Sequence, residues 1–149
     1  MLPPLKPVLI VEDSVEDFTA LARAFRKNSL QNPVLRCEDG DQALDYLLGY
    51  GSRPEWPQTL PAIVLLDLNM PGTDGRTVLD TIKNDARLRS IPVVIFTTSS
   101  NTKDIEECYR LGANSYMTKP VNYVALEEKV RLIVQYWLES SELPALNVA

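Results

Sequence analysis

The sequence predicts a doubly wound α/β domain, a parallel five-stranded sheet with helices on both faces. Three observations carry that reading. Short continuous apolar runs at Val8 to Val11, Ile63 to Leu66 and Val93 to Phe96 have the length and composition of strands buried on both sides. Segments with apolar residues at helical spacing lie between the runs, so strand and helix alternate along the chain. The chain of 149 residues, 45% hydrophobic and 23% charged, is the size of one domain with a substantial core.

In chain order, strand 1 is Val8 to Val11 and stops at Glu12 and Asp13. Ser14 is placed to cap helix 1, whose apolar stripe is Phe18, Leu21, Ala22 and Phe25. Pro33 opens strand 2, Val34 to Cys37, and Asp39 to Leu48 reads as helix 2, closed by Gly49 and Gly51. Residues 50 to 61 hold three prolines and a tryptophan without periodicity, which predicts a loop longer than the usual α/β connection. Strand 3, Ile63 to Leu66, runs into Asp67, and Val78, Leu79 and Ile82 mark the buried face of helix 3 after Asp74 and Gly75. Strand 4, Val93 to Phe96, is entered through Pro92. Helix 4 spans Asn101 to Leu111 with Ile105, Cys108 and Tyr109 expected inward, and Gly112 ends it. Ala113 to Met117 is expected as strand 5, and Leu126, Val130, Ile133 and Trp137 set a stripe on the last helix. The whole of residues 1 to 149 is read as a single domain, with its core at about 6 to 138, a tail at 139 to 149 and no output domain.

Composition narrows the function. A net charge of -5 and scattered charges give no basic footprint, so no nucleic acid contact is expected. No apolar run reaches the length of a membrane span and the N-terminus lacks the pattern of a signal peptide, which places the protein in the cytoplasm. Cys37 and Cys108 lie in apolar stretches without metal-like spacing and read as reduced, buried thiols. The chain has no histidine, which removes Ser-His and Cys-His nucleophile pairs, histidine metal sites and a phosphohistidine donor role.

In doubly wound folds functional groups collect beyond the carboxyl ends of the strands. Here those ends carry Glu12 and Asp13, Asp67, Thr97 and Thr98, and Lys119. Three carboxylates gathered within a few ångströms repel one another unless a proton or a cation sits among them. Oxygen donors without histidine or thiolate suit Mg²⁺, which commonly sits beside phosphate. Asp67 is then a candidate covalent phosphoryl acceptor, with Mg²⁺, Lys119 and Thr97 to neutralise the transferred oxygens. Each residue has a plainer reading alone: a helix cap, a turn former, a loop hydroxyl, a solvated lysine. Their conjunction at four strand ends favours the chemical one.

The stretches VEDS around Glu12 and Asp13, LLDLNMPGTDG around Asp67, IFTTS around Thr97 and YMTKP around Lys119, in that order, resemble the CheY-like receiver domain of two-component response regulators. The resemblance covers about residues 6 to 138. It implies a flavodoxin-like receiver fold with strand order 2-1-3-4-5, and a regulator that accepts a phosphoryl group on Asp67 from a sensor histidine kinase. It also implies Mg²⁺ held by Asp13, Asp67 and the Asn69 backbone carbonyl, with Glu12 acting through a metal-bound water. Thr97 would bind the arriving phosphoryl group, Lys119 would pair with it, and Tyr116 would follow Thr97 as the switch aromatic. A cis Lys119–Pro120 bond is expected by the same resemblance. Such a protein is a signalling phosphoacceptor rather than an enzyme acting on other molecules.

Two features depart from the commonest family pattern: Glu12 where an aspartate is usual, and the long loop before strand 3. With the loop, the lack of an output domain and the Tyr-Trp-rich last helix, the chain looks like the small stand-alone regulators that accompany bacterial phytochrome kinases. A flavodoxin-type FMN binder disagrees with Glu12 and Asp13, which would repel the phosphate. A haloacid-dehalogenase-like phosphatase needs an acid where Asn69 stands. The alternative that remains is a receiver-fold binding module that signals without phosphorylation. Output is expected through a protein contact on the helix 4, strand 5, helix 5 face. An apolar flank of Tyr123, Val134 and Leu138 there, with Leu143 and Leu146 of the tail, points to a homodimer.

Overall fold

A computed structural model describes residues 5–49, 56 and 59–145. Five parallel strands, β1 (Val8–Val11), β2 (Val34–Cys37), β3 (Ile63–Leu66), β4 (Val93–Thr97) and β5 (Ser115–Thr118), lie in the order 2-1-3-4-5. Between and after them run α1 (Val15–Lys27), α2 (Gly40–Leu48), α3 (Gly75–Asn84), α4 (Thr102–Arg110) and α5 (Tyr123–Ile133). The last helix continues as a π-helical segment, Val134–Ser140.

The three central strands explain the apolar runs. Successive side chains point to opposite faces, and here both faces are covered. Leu9, Val11, Val64, Leu66, Val93 and Ile95 pack with Leu47, Val78, Leu79, Ile82 and Cys108 under α2, α3 and α4. Val8, Ile10, Ile63, Leu65, Val94 and Phe96 pack with Leu21, Ala24, Phe25, Val130 and Ile133 under α1 and α5. Each fully buried aliphatic or aromatic side chain contributes about 1.5–3 kcal/mol, which holds the strand ends of the sheet in fixed register.

Local signals set the helix ends. Ser14 accepts the Asp17 amide at 3.2 Å, Asp39 accepts the Gln42 amide at 2.8 Å, and Asn101 and Asn122 cap α4 and α5 in the same way. Glu16 and Asp17 in the first turn of α1 and Arg26 and Lys27 in its last turn complement the helix dipole. Gly49 closes α2 in the left-handed conformation, at φ 78°.

Several expectations are corrected. Tyr109 is 49% exposed, because one step beyond the buried Cys108 turns it about 100° off the inner face of α4. Strand 5 begins at Ser115 and runs to Thr118, since the Ala113 amide still donates to the Cys108 carbonyl and belongs to the end of α4. No peptide bond among the described residues is cis, so Lys119–Pro120 takes the trans form that X-Pro bonds ordinarily prefer. Val134 is only 5% exposed: it follows Val130 by four residues and therefore stays on the core stripe of the last helix. Tyr123 and Leu138 pack half-buried against the same core, so this trio offers no free flank. Leu146 and most of the 50–61 stretch lie outside the described residues. Trp56 is 8% exposed and meets Tyr46 edge-on, 5.3 Å between ring centres, while the Tyr46 hydroxyl donates to the Thr59 carbonyl at 2.5 Å. Cys37 and Cys108 are both buried and form no disulfide.

Candidate functional site

Register brings the strand ends level. Val11 and Leu66 are partners across β1 and β3, Leu66 and Ile95 across β3 and β4, and Thr97 and Thr118 across β4 and β5. The next residues along, Glu12, Asp67 and Lys119, therefore leave the sheet at one rim, with Thr97 at the end of β4 between the strands that lead to Asp67 and Lys119. The Asp67 amide donates to the Val11 carbonyl and the Lys119 amide to the Thr97 carbonyl, so the backbone pairing extends into the site itself. Behind Asp67 the start of α3 presses closely: a Cβ on Gly75 would lie 2.2 Å from the Asp67 carbonyl oxygen. Only glycine fits there, so α3 starts directly against the Asp67 backbone.

Asp67 is 7% exposed and Glu12 2%, while Asp13 reaches solvent. Carboxylate oxygens of Glu12, Asp13 and Asp67 lie within 4.8 Å of one another. Lys119 Nζ sits 2.5 Å from Glu12 Oε1, 2.9 Å from Asp17 Oδ2 and 3.3 Å from Asp67 Oδ2. Burial raises the Glu12 carboxyl to about 7; the Lys119 hydrogen bond offsets part of this rise and the Asp67 charge adds to it. Burial alone would lower Lys119, yet its hydrogen bonds to Glu12 and Asp17 and the Asp67 charge outweigh burial and hold it above the ordinary lysine range. Lys119 is thus an ammonium at neutral pH. Thr97 Oγ1 is buried and has no hydrogen-bond partner among the described residues, an uncommon state for a buried hydroxyl.

This donor set fits a hard divalent cation: three carboxylates from two strand ends, all oxygen, with one of them open to solvent. The unpartnered Thr97 hydroxyl and the Lys119 ammonium fit a group rich in oxygen beside Asp67. Asn69 is exposed in the loop that follows Asp67. Tyr116 stands on β5 with its hydroxyl donating to the Ser99 carbonyl at 2.8 Å. From Ser99 the contacts continue outward. Its hydroxyl donates to Asp104 Oδ2 at 2.6 Å, and Asp104 pairs with Arg76 at 2.5 Å. The Ser99 hydroxyl and the Arg76 guanidinium hold the Asp104 carboxyl below the usual range.

Of the strand-end residues expected from sequence, Glu12, Asp13, Asp67 and Lys119 come together at this rim, and Thr97 ends the strand that lies between those leading to Asp67 and Lys119. Asp17 was not anticipated. It sits in the first turn of α1, where an acid reads as a complement to the helix dipole, and only the folded chain shows it on Lys119. Arg36 of β2, which donates to the Glu12 and Asp13 carbonyls, was also missed, because a charged residue in an edge strand carries no signal of its target. The Arg76, Asp104 and Ser99 chain joins α3 to the β4–α4 connection, and no spacing in the sequence announces it.

A parallel sheet in this order, with acids, a threonine and a lysine collected at its carboxyl rim, defines a receiver-type signalling domain. The chain belongs to the response regulator receiver domain family, which it matches over residues 8–131. Response regulator Rcp1 of Synechocystis sp. is 38% identical over 142 residues, covering 95% of each chain. The phosphorylated cyanobacterial phytochrome response regulator RcpA superposes with a TM-score of 0.88 at 37% identity, over 95% of this chain and 99% of that one. The Mn²⁺-bound form of Rcp1 superposes with a TM-score of 0.86 at 38% identity, over 94% of this chain and 99% of that one. The protein is therefore a two-component response regulator receiver related to phytochrome regulators.

Proposed function

We propose that Asp67 accepts a phosphoryl group from the phosphohistidine of a sensor kinase and that the rim converts the new charge into a protein contact. The observation that carries this reading is the buried Asp67 carboxylate held at 3.3 Å from the Lys119 ammonium beside the acidic pair. An Asp67 carboxylate oxygen bonds to phosphorus as the bond from phosphorus to the donor nitrogen breaks, and the electron pair of that bond remains on the imidazole. Glu12, Asp13, Asp67 and the Asn69 carbonyl would hold Mg²⁺, with Glu12 reached through water. When bound, Mg²⁺ neutralises charge on the phosphoryl oxygens and between the carboxylates. Lys119 stays charged and pairs with the arriving oxygens, and the Thr97 hydroxyl donates to one of them. Tyr116 and its Ser99 contact adjoin Thr97 and carry the change toward α4. The protein works as a signalling phosphoacceptor in the cytoplasm, and its likeness to RcpA supports a phytochrome-type kinase as the source. Output leaves through the α4, β5 and α5 face, where Tyr109, Leu132 and Tyr136 are exposed, to a protein target or a second copy.

Acetyl phosphate and intact-mass spectrometry test the chemistry. One phosphoryl adduct per chain is expected with Mg²⁺, little in EDTA, and none in Asp67→Asn. An adduct that persists in Asp67→Asn or forms equally in EDTA overturns the assignment. A chain that takes no phosphoryl group under any condition is instead a binding module that signals without it.

A further inference from the structure

Arg36 stands in β2, opposite Ile10 of β1, and its side chain runs forward along the sheet to the backbone of the acidic pair. Nε donates to the Glu12 carbonyl and Nη2 to the Asp13 carbonyl, each at 3.1 Å. The guanidinium also lies over the Phe18 ring of α1, 5.4 Å from its centre. Its third contact, Nη1 to Glu38, is long at 3.8 Å. The Glu12 amide meanwhile donates to the Cys37 carbonyl at 3.0 Å. Glu12 is thus tied to β2 through both its amide and its carbonyl, and Asp13 through its carbonyl, although neither side chain touches Arg36 through its carboxylate.

We propose that Arg36 is the positioning residue of the divalent cation site: its two-pronged hold on successive carbonyls aims the Glu12 and Asp13 side chains. The inference rests on reading that acidic pair as a cation site. Two physical effects of Arg36 on a bound cation have opposite signs. Its charge repels a dication, so by Coulomb's law alone its removal tightens binding. Its fork orders the turn that carries the ligand Asp13 and the water-linked Glu12, so its removal loosens binding, and supporting contacts of this kind are worth about 10–100-fold in metal affinity. The bidentate geometry decides for positioning. A planar guanidinium spans two adjacent carbonyls at once, whereas a lysine ammonium keeps the charge but not the fork.

Mg²⁺ titration of the unphosphorylated protein, followed by amide NMR shifts at the rim, separates these effects. Arg36→Ala and Arg36→Lys are both expected to raise the Mg²⁺ dissociation constant about tenfold or more, and lysine does not rescue. Thermal melts in EDTA accompany the titrations and report folding. Variants that melt lower yet bind Mg²⁺ as wild type does, or more tightly, overturn the proposal and leave Arg36 a packing residue. Should Arg36→Ala fail to fold, Arg36→Lys, which keeps the charge and the alkyl stem, decides by the same criterion. A wild type that takes up no Mg²⁺ overturns the cation-site reading and this inference with it. A wild type that binds beside unaffected variants overturns this inference alone.

Discussion

Lys119 holds carboxylates from three elements at once: Glu12 after β1, Asp17 in α1 and Asp67 after β3. Its neighbours at the strand ends were legible in the sequence, since an apolar run that stops at an acid or a lysine marks the rim directly. Asp17 was not, because its role depends on how close α1 comes to the segment that follows β5, a distance set by packing. Cys108 gives a residue-scale prediction on the other side of the sheet. Burial raises its thiol from about 9 to about 11. Below pH 9 both the folded and the unfolded chain keep that proton, and the contribution to stability is complete. Between pH 9 and 11 the unfolded chain loses the proton first, so stability falls as pH rises. Cys108→Ala removes that component: urea midpoints are expected to fall less steeply from pH 9 to 11 than in wild type, and parallel slopes would refute the burial argument.

At the scale of the element, α5 and its π-helical extension show what periodicity can and cannot predict. The stripe of Leu126, Val130, Ile133 and Trp137 was correctly placed toward the core. The supposed flank failed at Val134, since a residue four positions after Val130 shares its face and the cover over it comes from α1 and the sheet, which a helical wheel does not contain. The fold class and all five helices were legible because both faces of the sheet demand apolar runs and helical stripes, whereas the strand order followed only from the resemblance to receiver domains. The boundary of β5 was not, because Ser115 to Thr118 is a half-buried edge strand with no apolar run to mark it. Val134→Ala is accordingly expected to cost about 2 kcal/mol in chemical unfolding. Val124→Ala, on the exposed side of the same helix, should stay within about 0.5 kcal/mol. Equal effects for the two would contradict the orientation of α5.

For the molecule as a whole, the sheet divides the interior into two apolar layers that share no side chain among the described residues, since alternate residues of β1, β3 and β4 enter one or the other. The rim chemistry belongs to neither layer; it depends on both, through α3 behind Asp67 and α1 beside Lys119. The two tryptophans of the chain fall one to each side: Trp56 in the layer under α2 and α3, Trp137 against the layer under α1 and α5. Trp56→Phe and Trp137→Phe therefore leave single-tryptophan proteins, each reporting one half of the interior when tryptophan alone is excited. Coincident fluorescence midpoints in urea are expected for both, as for a cooperative two-state unit; separated midpoints would mean that the halves melt independently. The chain thus carries an optical channel on each side of its sheet, and simultaneous loss of both signals would make the central strands a mechanical coupling between two otherwise insulated compartments.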